Sequence, residues 1–213
     1  MTEGTRRNFD KVAASWDENP RRRLAAAAIA AGIAETIPLH GDMHALEYGC
    51  GTGLVGLQLA REVGELTAVD TSAGMLEELR SKSRSLGLNN VTPLLISPER
   101  WSLPMGTYDL VFSSMVLHHI EDTEGLLRNI RQVLKPGGHL ALADLEQEDG
   151  TFHDDPTGIM HNGFDPQALL DLLKQLGFTA LQARTVHKIR KQSDREDRLY
   201  PVFLIIGQKP ASH

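Results

Sequence analysis

The chain has 213 residues, 41% hydrophobic and 23% charged, as expected of one sizeable α/β domain with a buried core. Its net charge of −6 gives no sequence-wide argument for nucleic-acid or anionic-membrane binding. A single cysteine, Cys50, excludes an internal disulfide and suits a reducing compartment. The N-terminus is polar and charged through Arg23, and the alanine-rich run Leu24–Ile33 is too short to span a bilayer. A cytoplasmic location without a signal peptide or membrane insertion is therefore expected.

Residues Thr2 to Pro20 carry the pattern Phe9-Asp10-x-Val12-Ala13-x-x-Trp16-Asp17, a short helix or an ordered arm. Arg21 to Ile37 predict a helix, stopped by Pro38 and the Gly41 turn. Strands and helices then alternate. Strands are expected over 45–48, 66–69 (ending at Asp70), 91–96, 108–113, 139–145, 178–186 and 202–206. Helices are expected over 53–63, 73–85, 123–134 and 166–176. Lys135-Pro136-Gly137-Gly138 is a strong helix stop. A charged hairpin, Lys188–Arg198, joins the last two strands, which should pair antiparallel because no helix separates them. The alternation predicts a mostly parallel sheet with helices on both faces. Residues 1–40 read as an N-terminal helical arm packed on a core of 41–213, and no linker or repeat divides the chain.

The stretch Glu47-Tyr48-Gly49-Cys50-Gly51-Thr52-Gly53 joins a predicted strand to a predicted helix. Alternating glycines turn sharply and let a ligand approach the backbone, and a following helix directs free N–H groups into the same space. Strand, glycine loop and helix in this order predict a nucleotide site. Gly51-x-Gly53-x-x-Gly56 with Asp70 also satisfies the dinucleotide fingerprint, so an NAD(P)-dependent oxidoreductase is one reading. Three features oppose it. Glu47 would repel a pyrophosphate and suits a cationic amino group. No Tyr-x-x-x-Lys pair occurs. A segment Leu134-Lys135-Pro136-Gly137-Gly138 follows much later.

With Val69-Asp70-Thr71-Ser72-x-x-Met75-Leu76 and Tyr108-Asp109-Leu110-Val111, these motifs resemble the class I S-adenosylmethionine (SAM)-dependent methyltransferases. The resemblance covers residues 9–207. It is strongest to the small-molecule branch related to ubiquinone and menaquinone methyltransferases, often called type 11. It implies a three-layer α/β/α Rossmann-like sandwich whose seven-stranded sheet has the order 3-2-1-4-5-7-6, with strand seven antiparallel. It also implies that the Phe9–Asp17 pattern is a lid. The implied cofactor is SAM. Its implied contacts are Glu47, Gly49, Cys50, Gly51 and Gly53 with the methionine part, Asp70 with the ribose hydroxyls and Met75 with the adenine face, together with Thr71, Ser97 and Ser113. An Asp that the family often places after strand three is replaced here by Ile96-Ser97-Pro98-Glu99, which leaves Ser97 or a backbone carbonyl for the adenine. Asp70 otherwise reads as an N-cap, a role that Ser72 fits better.

The acceptor is expected to be a small molecule. After strand four the chain reads Ser113-Ser114-Met115-Val116, without the Asn/Asp-Pro-Pro-aromatic motif of amino-methylating DNA and glutamine enzymes. Cys50 lies in the cofactor loop, so it is not a nucleophile for pyrimidine C5 chemistry. Candidate bases are His118 and His119 after strand four, and His153 and His161 in the segment 144–164. That segment also carries Asp144, Glu146, Glu148 and Asp149, and His187 closes strand six. A base with an orienting carboxylate and a solvated acidic loop with incidental histidines are both open. No close ligand spacing such as His-x-x-x-His occurs, so no metal is expected. A homodimer and a SAM-binding protein without catalysis remain alternatives.

Overall fold

The computed structural model describes residues 8–97, 102–191 and 197–211. Residues 1–7 of the arm, Pro98 and Glu99, and the hairpin tip at 192–196 lie outside the described residues. Seven strands form one sheet: β1 (His44–Tyr48), β2 (Glu65–Asp70), β3 (Val91–Leu95), β4 (Tyr108–Ser114), β5 (Leu134–Leu145), β6 (Thr179–Lys191) and β7 (Arg198–Gln208). Their order is β3-β2-β1-β4-β5-β7-β6, as the resemblance implied. The first five strands in chain order pair parallel, and β7 runs antiparallel to both β5 and β6.

The helices are α1 (Pro20–Thr36), α2 (Gly56–Leu59), α3 (Ala73–Ser85), α4 (Thr123–Val133) and α5 (Pro166–Gln175). Their starts are written in the sequence. Asn19, Ser72, Asp122 and Asp165 each accept a backbone N–H as N-caps, and Pro20 and Pro166 stand at N1. Two apolar cores form because successive strand residues face opposite sides of the sheet. Ala45, Ala68 and Phe112 pack with Ile29 and Ile33 of α1 and with Leu76 of α3. Leu46, Val69 and Val111 pack with Leu127 and Ile130 of α4 and with Leu173 of α5.

Four elements differ in extent from expectation, among them β7, which runs over Arg198–Gln208 against an expected 202–206. The predicted helix over 53–63 contracts to Gly56–Leu59, since glycines interrupt it and short-range turn bonds such as Glu62 N–H to Leu59 O replace the ladder. Strand β5 begins at Leu134: Gly137, at φ +80°, donates its N–H to Lys209 O, and Gly138 O accepts Lys209 N–H, so the stretch joins the sheet beside the chain that leaves β7. A register shift on β4 between Tyr108 and Leu110 absorbs the extra residues. Strand β6 runs on to Lys191 because β7 pairs with it as far as Arg198. At the middle of the sheet the chain leaves β1 toward one edge and β4 toward the other. The carboxyl ends of β1 and β4 therefore open into a crevice, which is where ligands bind in such sheets.

Candidate active site

A cavity of about 890 Å³ occupies that crevice. Its floor begins at the glycine loop. Gly49 and Cys50 both donate backbone N–H bonds to Val69 O at 2.9 Å, which pins the loop to β2. Gly49 has φ +72°, and a Cβ there would lie 2.4 Å from Val116 Cγ2, so only glycine fits.

Two acidic side chains frame the loop. The Asp70 carboxylate accepts Gly51 N–H at 2.7 Å through Oδ2 and Ser72 N–H at 2.9 Å through Oδ1. Each oxygen keeps a further lone pair, enough for one hydroxyl of a diol. Burial pushes the Asp70 carboxyl up, against the pull of those backbone bonds. Glu47 is 1% exposed, and its Oε2 has no hydrogen-bond partner. Burial pushes it up to about 8, only partly opposed by a Gly56 N–H bond, while the Asp70 charge raises it further and Lys82 lowers it. A Cβ at Gly56 would sit 2.0 Å from Glu47 Oε2, so α2 must begin on a glycine for the carboxyl to fit. The neighbouring Cys50 thiol is raised well above its usual range by burial and by these two acids, which makes it an inert wall.

The 3-10 helix Phe9–Glu18 crosses the mouth of the crevice. Asp10 accepts the Ser72 hydroxyl at 2.6 Å and the Gly74 N–H at 2.8 Å, and these bonds hold its carboxyl below the usual range. Asp17 accepts the Thr52 hydroxyl at 2.5 Å and pairs with Lys82 of α3. Phe9 meets the His119 ring edge-on at 5.3 Å between centroids. The strap thus ties the cofactor side of the cavity to its histidine side.

The histidine side gathers three rings. His118 is 2% exposed, and its Nδ1 lies 2.7 Å from Asp144 Oδ1. His119 and His153 stand at 4.2 and 4.8 Å from the His118 ring, centroid to centroid. His119 Nδ1–H donates to Gly158 O at 2.8 Å.

Of the residues singled out from sequence, Glu47, Gly49, Cys50, Gly51, Asp70, Thr71, Met75 and Ser97 line this cavity, with His118, His119 and His153. Gly53, Ser113 and His161 do not. Gly53 turns toward Leu57 behind the loop. Ser113 Oγ donates to Tyr48 O at 2.8 Å and ties β4 to β1. His161 Nε2–H donates to Ile120 O at 2.9 Å and its ring packs on Phe164, which makes it a structural tie. Met75 is 2% exposed and serves both core and cavity wall. Ser72 is the N-cap of α3, accepting Met75 N–H at 3.1 Å. Sequence reasoning did not pair Asp144 with His118 and named it only among several carboxylates that could orient a base. Its signal was a lone acid in the apolar run Leu140–Leu145, which must be paired to be buried. Among the described residues no group of three or more His, Cys, Asp or Glu is arranged to hold a metal. No helix among them is long and apolar enough to cross a membrane.

Residues 45–138 match the family described as a methyltransferase domain. An uncharacterised methyltransferase of Schizosaccharomyces pombe is 30% identical over 147 residues, which cover 62% of this chain and 52% of that protein. The aklanonic acid methyltransferase DauC of a Streptomyces species is 30% identical over 141 residues, covering 65% of this chain and 63% of that one. A SAM-dependent methyltransferase of Aquifex aeolicus shares the fold, with a TM-score of 0.68 at 20% identity over 94% of this chain and 98% of that one. The chain spans about half the length of several curated relatives it matches. Over residues 45–138 the chain is similar to the methyltransferase domain family, and its fold is that of SAM-dependent methyltransferases.

Proposed function

We propose that this chain is a SAM-dependent methyltransferase acting on a small molecule. One observation carries the reading. A single cavity joins two acids on neighbouring strand ends, Glu47 and Asp70, to a chamber of histidines. The residues fit the cofactor. The orphaned, buried Glu47 Oε2 suits an ammonium, the two Asp70 oxygens suit a ribose diol, and the Gly49–Gly51 backbone admits close approach. When bound, SAM supplies an electrophilic methyl on a good leaving group. The chain's own work is to orient the acceptor, exclude water and receive a proton. Positioning of this kind is worth roughly 7–11 kcal/mol, and a general base about 10²–10⁴-fold.

The cavity volume and the Phe9–Glu18 strap across its mouth support a small acceptor and a lid role for that helix. A dinucleotide would bring its pyrophosphate against the loop beneath which Glu47 is buried, and no observation favours that ligand. Calorimetry with S-adenosylhomocysteine tests the reading. Asp70→Ala should weaken binding more than tenfold, since a buried contact worth roughly 1.5–3 kcal/mol is lost. Unchanged affinity in this variant would overturn the assignment.

A further inference from the structure

Asp144 lies at the end of the apolar run on β5 and is 0% exposed. Its cross-strand partner is Phe203 and its chain neighbours are Ala143 and Leu145, so packing alone has no use for a carboxylate there. The carboxylate nevertheless accepts three hydrogen bonds. Oδ1 accepts His118 Nδ1–H and Leu145 N–H, each at 2.7 Å, and Oδ2 accepts the His118 N–H at 3.3 Å. Two of these three donors belong to one histidine. With its proton fixed on Nδ1, His118 keeps a lone pair on Nε2, and His118 lines the cavity.

We infer that Asp144 is a positioning residue that holds His118 as a general base, and that the methyl acceptor is one that must give up a proton, such as an alcohol or phenol. This rests on the methyltransferase reading above. A carboxylic acid is already ionised near neutral pH and needs no base. An alcohol, phenol or enol does. In the proton step the acceptor O–H bond breaks, its electron pair stays on oxygen, and the proton forms the His118 Nε2–H bond. The resulting imidazolium lies against the Asp144 carboxylate. The other titratable groups facing His118 are the rings of His119, on the same turn, and His153, from the loop after β5.

Ring-nitrogen NMR of the ¹⁵N-histidine-labelled full chain, saturated with S-adenosylhomocysteine, tests this without a known acceptor. Wild type should show His118 with Nδ1 protonated and Nε2 bare at neutral pH. Asp144→Asn should lose this single tautomer, because the carboxylate acceptor that fixes the Nδ1 proton is gone, and Asp144→Glu should restore part of it. A wild-type His118 protonated on Nε2, or the same single tautomer in Asp144→Asn, overturns the positioning role. Phenol, as a minimal O–H probe, should shift the Nε2 resonance, and benzoate, which has no proton to give, should not. No response to phenol, or an equal response to benzoate, overturns the acceptor class. Failure to bind S-adenosylhomocysteine would sink the methyltransferase reading instead, and calorimetry on the same sample separates the two.

Discussion

Glu47 shows how one buried side chain makes stability depend on pH. In the folded chain its carboxyl keeps its proton up to about pH 8, whereas an ordinary glutamate releases it near 4.5. Between those values the folded state binds more protons than the unfolded state. The stability this group contributes is therefore complete below 4.5 and is lost as pH rises toward 8. The slope is at most about 1.4 kcal/mol per pH unit. Asp70, also pushed up by burial, acts in the same direction. Glu47→Gln should match the ligand-free wild type near pH 4.5 and exceed it by a margin that grows up to pH 8. Urea unfolding across that range measures the difference, and a margin independent of pH would refute the burial argument. The sequence placed Glu47 correctly beside the loop. It said nothing of the orphaned oxygen, which depends on α2 beginning at Gly56 directly against it.

At the level of elements, the N-terminal strap is the least self-sufficient part of the fold. A ten-residue 3-10 helix exceeds the usual three or four residues, so tertiary contacts must hold it. Asp10 and Asp17 anchor one side to Ser72, Gly74, Thr52 and Lys82. On the other side Arg22 lies 3.6 Å from the centre of the Trp16 ring and donates to Trp16 O at 3.0 Å. Asp17→Ala should cost the global fold less than about 1 kcal/mol, since the pair with Lys82 is partly exposed. Cleavage within residues 9–19 should nevertheless accelerate several-fold. Limited proteolysis with S-adenosylhomocysteine bound checks this, and an unchanged rate would show that the latch does not hold the strap. From sequence the segment read as a short helix or an arm. The choice was illegible because the latch partners lie up to 65 residues away.

For the molecule as a whole, a cofactor in the central crevice contacts loops from β1, β2 and β4 at once, so binding should stabilise the entire domain. At one hundred times its dissociation constant S-adenosylhomocysteine should add about 2.7 kcal/mol. That corresponds to a rise of about 5–11 °C in Tm for a chain of this length. NADH should give no rise, and a shift with NADH would revive the oxidoreductase reading. The sequence by itself determined the alternation of strands and helices, the caps, the glycine loop and the acids beside it. Those are local properties, set by periodicity, backbone freedom and capping chemistry within a few residues. Only the tertiary structure decided that His118, rather than His161, meets the cavity, because both follow strands as polar residues in similar company. It also decided that Asp144 stands behind His118. The two are 26 residues apart, and the parallel pairing of β4 with β5 brings their ends together. That long-range register, which no local pattern encodes, turns a lone acid in an apolar run into half of a dyad.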